Sequence, residues 1–290
     1  MRTLLYLLPT FLHCIGLFLL YKVKQSSDDK IRYWYLVSLS SVEASLSLFY
    51  AVLVFIPVSV RNYFYIFLTM FLILMYMLMM LLILLDRVLE IYLHLRYPLY
   101  CTVPRTKAVI FGCIVFSVLC AIPATIVLEK DQPIVFEFFS VYIWPSAALV
   151  FLVCSIVGYG YVYVHMRAFR RAREWDRRAV QQNIRQQDAE NGRQSAQQMD
   201  TFYKRLRKNF FLPSLLIISF IICWVFPVVF YFSMKIQNAK FDDEKVAPFM
   251  VLAVILIVSG ICFDACAYIF CFQPIRSYLR RLKGRIHDVM

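Results

Sequence analysis

The chain has 290 residues, of which 61% are hydrophobic and 17% charged, with 31 Lys and Arg against 18 Asp and Glu. Its apolar residues come in long blocks instead of alternating with polar ones, which excludes the water-soluble classes of protein. A net charge of +13 is compatible with nucleic-acid binding. A basic protein this apolar is, however, more often a membrane protein with its positive charge on one side.

Seven runs are long enough to cross a bilayer as helices, which takes roughly 20 apolar residues. Their only acidic residues are Glu43 in the second run and Asp264 in the seventh. The pattern predicts an all-α membrane protein, a seven-transmembrane helix bundle with a short amphipathic eighth helix. In chain order, the predicted spans cover residues 3–21, 33–60, 62–85, 108–128, 138–166, 209–234 and 246–272.

The Lys and Arg residues fall mainly on one side of this predicted bundle. Segments 22–32, 86–107, 167–208 and 276–290 contain 25 of them, and the opposite side contains 6. Because positive residues stay cytoplasmic, the N-terminus is predicted outside and the C-terminus inside. The charge therefore indicates orientation and a surface for anionic inner-leaflet lipid, and no nucleic-acid partner is expected.

Two of these cytoplasmic segments have a distinctive pattern of basic and apolar residues. Residues 167–208 form a long basic third cytoplasmic loop, whose basic ends are expected to extend helices five and six. Residues 273–290 have apolar side chains spaced for a cytoplasmic amphipathic helix on the inner leaflet. None of the nine cysteines lies in an outer loop, so no structural disulfide is predicted.

Ionisable residues within membrane spans are costly, and they mark candidate functional sites. Other motifs accompany them at the inner ends of spans three and five and in span six. In chain order the motifs are Leu39-Ser-Ser-Val-Glu43, Asp86-Arg87-Val88, Gly158-Tyr159, Phe220-Ile-Ile-Cys-Trp224 with Pro227 beyond it, and Asp264-Ala-Cys-Ala-Tyr268.

In this order on seven spans, the motifs resemble those of the rhodopsin-like G-protein-coupled receptors across essentially the whole chain. The resemblance implies a single receptor domain over residues 1–290 in the plasma membrane. Such a receptor passes an extracellular or membrane-borne ligand signal to a heterotrimeric G protein by outward movement of helix six. The chain departs from the family in lacking the helix-three disulfide, and Ala265 replaces a proline, so it would be a divergent member.

The resemblance also implies roles for individual residues. Asp86 and Arg87, with the hydroxyls of Tyr159 and Tyr268 near Arg87, would form the switch that couples to the G protein. Phe220 and Trp224 would be the toggle of helix six, and Pro227 its pivot, since proline removes a backbone hydrogen bond. The base of helix six, residues 204–208, is basic and would repel Arg87. The inactive state is therefore expected to be only weakly restrained, which would allow ligand-independent signalling.

The resemblance further implies that Glu43 and Asp264 face each other in the middle of the bundle. Two close carboxylates cannot both be ionised cheaply, so they would share a proton or bind a cation. The positions that match the sodium pocket of the family supply few side-chain ligands, which favours a shared proton over sodium.

The predicted ligand pocket is apolar and aromatic, which favours a small uncharged or lipid-like ligand. Thr69 lies where amine receptors of the family carry an acid, and span seven has no lysine for retinal, so no cofactor is expected. The lining residues would be Tyr65, Thr69, Met70, Ile73, Trp224, Phe230 and Val254.

Enzymatic activity is not expected, because no nucleophile–base constellation or metal-ligand spacing occurs in the sequence. The alternative is a seven-helix transporter or channel that uses Glu43 and Asp264 as a proton or cation path. No inverted repeat is visible between the halves, and Arg87 with a long basic loop fits a cytoplasmic docking surface better.

Overall fold

The part of the chain that the computed structural model describes is almost entirely helical and contains no strand. The described residues are 2–23, 30–53, 55, 63–93, 96–129, 144–183, 211–223, 226, 229–230, 233 and 247–289. The helices are α1 Arg2–Val23, α2 Lys30–Leu53, α3 Tyr63–Leu93, α4 Tyr97–Tyr100, α5 Val103–Glu129, α6 Trp144–Asn183, α7 Phe211–Cys223, α8 Ala247–Cys271 and α9 Gln273–Val289.

Several of these helices are long and apolar enough to cross a membrane. Within the described residues there are four, Tyr6–Val23, Lys30–Val52, Phe67–Leu93 and Val103–Pro123, or five if the bent pair α8 and α9 counts as one span. The described apolar stretches of α6 and α7 are shorter. Parts of the predicted spans five and six lie outside the described residues, so the structure gives four or five candidate spans where the sequence predicts seven.

Two helices extend beyond the apolar runs from which they were predicted. Helix α3 continues to Leu93, about two turns past residue 85, and α6 continues to Asn183, well past residue 166. Both extensions contain charged residues. The helices continue into them because each added residue gains a backbone hydrogen bond once the helix has formed. The remainder of the predicted third loop, residues 184–208, lies outside the described residues.

The helices surround one apolar core. Helix α1 packs along α2 and α8, and α3 contacts α2, α5 and α6. The core residues include Leu20, Leu39 and Tyr268, and four buried methionines of α3, namely Met75, Met77, Met79 and Met80. The unbranched thioether chain of methionine fills irregular gaps between helices. Helices α1, α2, α3 and α8 therefore enclose the interior that contains both predicted acidic residues.

The chain turns sharply between α8 and α9, whose axes differ by 63°. Phe272 between them is not helical, and Pro274 near the start of α9 has no backbone N–H to continue the ladder. Along α9, Leu279 packs against the core while Arg280 and Arg281 are exposed. The helix expected over residues 273–290 is thus present from Gln273 to Val289, with its apolar and basic sides separated.

A tight contact between α7 and α8 gives a test of the packing. A Cβ on Gly260 would lie 2.7 Å from the Cys223 Sγ and 3.1 Å from its Cβ, whereas nothing lies within 4 Å of a Cβ on Gly112. We expect Gly260→Val to lower the free energy of unfolding by about 1–3 kcal/mol through overpacking. Thermal unfolding of the purified protein in detergent measures this.

Gly112→Val is the matched control, because it introduces the same side chain into a membrane helix without a clash. An equal loss of stability in both variants would contradict close packing of α7 on α8.

Candidate functional site

Five polar side chains meet inside the bundle, and we call them the buried polar cluster. They are His13 of α1, Ser40 and Glu43 of α2, and Asp264 and Tyr268 of α8, each with 0% of its surface exposed. Ser40 and Glu43 are three residues apart, and Asp264 and Tyr268 are four apart, so each pair lies on one face of its helix. Three helices therefore contribute polar groups to one point in an apolar interior.

His13 bridges α2 and α8. Its Nε2 lies 3.0 Å from the Ile261 carbonyl oxygen, and its Nδ1 lies 3.0 Å from the Ser40 Oγ. Because a carbonyl oxygen only accepts, the Nε2 carries the proton and donates it. The same Nε2 lies 3.6 Å from the Glu43 Oε2, so imidazole and carboxyl group are direct neighbours.

The structure brings Glu43 and Asp264 together. The Tyr268 hydroxyl donates to the Glu43 Oε2 at 2.8 Å. Asp264 lies close to the Glu43 carboxyl group and to the Ser219 hydroxyl of α7. The Glu43 Oε1 and both carboxyl oxygens of Asp264 are nevertheless buried without a hydrogen-bond partner among the described residues. That the pair shares a proton instead of binding sodium stays a prediction.

Tyr268 belongs to the buried polar cluster, where its hydroxyl donates a hydrogen bond to Glu43. This contact follows from its register in α8, one turn beyond Asp264 on the same buried face. Its predicted role beside Arg87 stays a prediction. Tyr159 of α6 is half-buried.

A second polar site, which we call the arginine network, lies at the C-terminal end of α3. Asp86 and Arg87 form an ion pair although only 3% and 2% of their surfaces are exposed. Arg87 Nη1 also donates to the Glu90 Oε2 at 2.5 Å, one turn further along α3. Arg32 Nη2 at the start of α2 donates to both Glu90 oxygens, at 2.6 and 2.8 Å. Glu90 therefore binds two arginines from two helices.

The short helix α4 completes this network. The Tyr97 hydroxyl donates to the Asp86 carboxylate. Burial, together with the negative charge of Asp86, raises the pKa of Tyr97 well above its usual range. The hydroxyl thus keeps its proton at physiological pH and remains a donor, so α4 stays tied to the end of α3.

The predicted elements of helix six are described only in part. Phe220 of α7 is buried, and its ring centroid lies 6.0 Å from that of Tyr76. Trp224 and Pro227, the predicted toggle and pivot, lie outside the described residues, as does the basic stretch 204–208. The contact of Phe220 with α3 is therefore the described part of the predicted toggle.

The residues of the predicted ligand pocket are described in part. Thr69, Met70 and Ile73 are half-buried on α3, and Ile73 packs against the core. Phe230 stacks on Phe226, with the ring centroids 6.0 Å apart. Two further lining residues, Tyr65 and Val254, lie in helices, but their side chains are outside the described part of the chain.

Sequence reasoning did not single out His13, Arg32 or Glu90. For His13, a titratable residue inside an uncharged apolar run is the same signal that identified Glu43. The position of Glu90 three residues after Arg87 was the available signal for their pairing.

No protein-family model matches the chain, and no curated protein matches it in sequence. The resemblance to rhodopsin-like receptors is carried by the motifs themselves.

The hydrogen bond between Tyr268 and Glu43 gives a second test. Tyr268→Phe keeps the ring but removes the hydroxyl, leaving the buried Glu43 Oε2 without this donor. We expect the free energy of unfolding to fall by about 1–3 kcal/mol. Tyr163→Phe, at a position 52% exposed on α6, is the control and should have little effect. Equal thermal stability of the Tyr268→Phe variant and the wild type would contradict a stabilising role.

Proposed function

We propose that the chain is a seven-transmembrane receptor of the plasma membrane that activates a heterotrimeric G protein, with its N-terminus outside and its C-terminus in the cytoplasm. The observation that carries this proposal is the arginine network. A buried Asp86–Arg87 pair at the end of α3 is held by groups from α2, α3 and α4. In the receptors that the sequence resembles, this end of helix three faces the G protein.

The chemistry of the network suits a switch. Buried charges are tolerated only when they are paired, since an unpaired ion in low dielectric costs several kcal/mol. Arg87 is satisfied by Asp86 and Glu90, and these pairs can be exchanged for a new partner at little net cost. A docking protein that supplies carboxylates or carbonyl oxygens would compete for the guanidinium, and α3 would be freed from α2 and α4.

Glu90 acts in this proposal as the resting partner of Arg87. The sequence predicts that residues 204–208 at the base of helix six cannot provide an acidic partner, because they are basic. Glu90 provides one from α3 itself and also anchors Arg32 of α2. The resting restraint is then a contact between α2 and α3, and ligand-independent signalling depends on its strength.

Helix six would connect the ligand side to this network. Phe220 of α7 contacts Tyr76 of α3, and Ser219 approaches Asp264 of α8. Outward movement of α7 would break these contacts and open a cytoplasmic cleft beside Arg87. Trp224 and Pro227 would form the toggle and pivot at the outer end, under a pocket for a small or lipid-like ligand.

The predicted charge distribution supports partners on the cytoplasmic side. The four predicted inner segments contain 25 of the 31 Lys and Arg residues. This surface would complement acidic protein surfaces and anionic inner-leaflet lipid. Helix α9, with Arg280 and Arg281 exposed, would lie on that leaflet.

The second candidate is a transporter or channel for protons or cations. The buried polar cluster favours it, because ionisable groups inside a membrane bundle commonly line an ion path. Purified protein in vesicles loaded with a pH-sensitive dye distinguishes the two functions. Proton flux that is lost in Glu43→Gln, with no G-protein activation by the wild type, would establish the transporter instead.

Two variants test the arginine network in cells at matched surface expression. We expect Arg87→Ala to reduce ligand-independent G-protein activation at least about tenfold, because it removes the guanidinium that would bind the docking protein, and truncation of one partner of such a charged contact costs more than about 1.4 kcal/mol. Glu90→Gln should raise the same activation several-fold, because it releases Arg87 and Arg32. Energy-transfer sensors for each class of G protein measure both effects.

Arg105→Ala is the control for charge removal, because Arg105 is exposed and its described hydrogen bond is to the Tyr100 carbonyl oxygen. It should leave activation unchanged. Absence of activation of every G-protein class by both the wild type and Glu90→Gln would contradict the receptor proposal.

A further inference from the structure

His13 is the residue that α1 contributes to the buried polar cluster, and it touches both helices that carry the acids. Its Nε2 lies 3.0 Å from the Ile261 carbonyl oxygen of α8, and its Nδ1 lies 3.0 Å from the Ser40 Oγ of α2. Its ring also packs against that of Tyr268, with the centroids 5.8 Å apart. One side chain of α1 therefore makes three contacts around the hydrogen bond between Tyr268 and Glu43.

The partners of the two ring nitrogens assign the proton of His13. The Ile261 carbonyl oxygen can only accept, so the Nε2 is the protonated nitrogen. The Nδ1 is then a bare acceptor, and the Ser40 hydroxyl donates to it. Both nitrogens are satisfied in the neutral imidazole, and an imidazolium would add a further charge to an apolar interior. His13 is therefore a neutral bridge with one defined tautomer.

Ser40 differs from three neighbouring serines of α2. The hydroxyls of Ser41, Ser45 and Ser47 each donate to the carbonyl oxygen four residues earlier in their own helix. A helical serine is satisfied in this way without a contact to another helix. The Ser40 hydroxyl is instead directed to His13, so this face of α2 is tied to α1.

The bond from His13 to α8 is made to the backbone. Ile261 lies well inside α8, where its carbonyl oxygen accepts the N–H of Ala265 in the helical ladder. A carbonyl oxygen has two lone pairs, so it can accept from His13 as well. This second bond fixes the rotation of α8 at Ile261. Asp264 and Tyr268 follow three and seven residues later on the same face of the helix.

The hydrogen bonding of α2 and α8 does not itself require this bridge. Without His13, the Ser40 hydroxyl could turn back to a carbonyl oxygen of its own helix, as the neighbouring serines do. The Ile261 carbonyl oxygen would keep its ladder bond. Loss of the imidazole therefore leaves no unsatisfied polar group on either helix, and what His13 adds is a fixed geometry between them.

We propose that His13 is a positioning residue of the buried polar cluster. As a neutral imidazole, it holds the face of α2 that carries Glu43 against the face of α8 that carries Tyr268. It thereby keeps the Tyr268 hydroxyl on the Glu43 carboxyl group. Helix α1 takes part in the cluster in this way although it carries neither acid.

The consequence for signalling rests on the proposed receptor function. The Tyr268 hydroxyl has one proton, which it donates to Glu43. Loosening of the His13 bridge would release Tyr268 toward its predicted place beside Arg87. The bridge therefore favours the resting state, and its loss should raise ligand-independent activation.

Infrared difference spectroscopy of the full-length protein in lipid nanodiscs measures the positioning without any signalling. The band of the Glu43 carboxyl group is identified by its loss in Glu43→Gln, and it should shift in Tyr268→Phe, which removes the donor. We expect a shift in the same direction in His13→Leu. In His13→Gln the amide supplies one donor and one acceptor in place of the ring nitrogens, so the shift should be less than about half as large.

G-protein activation in cells at matched surface expression is the second readout. His13→Leu should raise ligand-independent activation at least about twofold, since the net contribution of a hydrogen bond changes an equilibrium by that factor or more. His13→Gln should stay closer to the wild type than to His13→Leu. In the Tyr268→Phe background, His13→Leu should have no further effect, because the bond that it positions is already absent.

His165→Leu is the matched control, because it makes the same substitution in α6, where His165 contacts the Tyr161 carbonyl oxygen of its own helix. It should change neither readout. An unchanged Glu43 band in His13→Leu, or an equal shift in His13→Leu and His13→Gln, would overturn the proposal. The expected band shifts without a change in activation would support the positioning role and count against the receptor function.

Discussion

A charge inside an apolar helix bundle must be paired or neutralised, because desolvation costs several kcal/mol for each ion. This constraint governs both polar sites of the protein. The buried polar cluster satisfies it by gathering an imidazole and two carboxyl groups from α1, α2 and α8. The arginine network satisfies it by placing two carboxylates of α3 around Arg87 and Arg32 of α2 against Glu90. The helices are held in register by these pairings, whereas their apolar contacts would allow them to slide.

The sequence predicted the helical class and the two acidic positions, since long uncharged runs interrupted by single acids leave few other interpretations. It did not predict that His13 would join Glu43, because the sequence of α1 gives no periodicity that would fix which side of the helix faces the other helices. It also did not predict that Tyr268 would bond to Glu43, which follows from the rotation of α8 about its axis. Rotations of this kind depend on the packing of neighbouring helices and are not encoded in one span.

The two sites are connected through α2 and α3. Glu43 and Arg32 both belong to α2, about three turns apart, so a rotation of α2 would move side chains in both sites. Helix α3 carries the Arg87 network at one end and packs Tyr76 against Phe220 of α7 nearer its middle. The close approach of Gly260 to Cys223 brings α8 against α7 as well. The buried polar cluster and the arginine network are therefore built on helices that pack against one another.

The methionines in the centre of α3 determine how easily such a change can occur. Met75, Met77, Met79 and Met80 lie where α3 meets its neighbours. A branched side chain has few alternative rotamers, so a helix packed against it can move only by opening a void. Methionine has three freely rotating bonds and refills the space as the neighbour shifts. The core around α3 can thus adjust its packing when a neighbouring helix shifts, whereas the ion pairs at the C-terminal end of α3 require one fixed geometry.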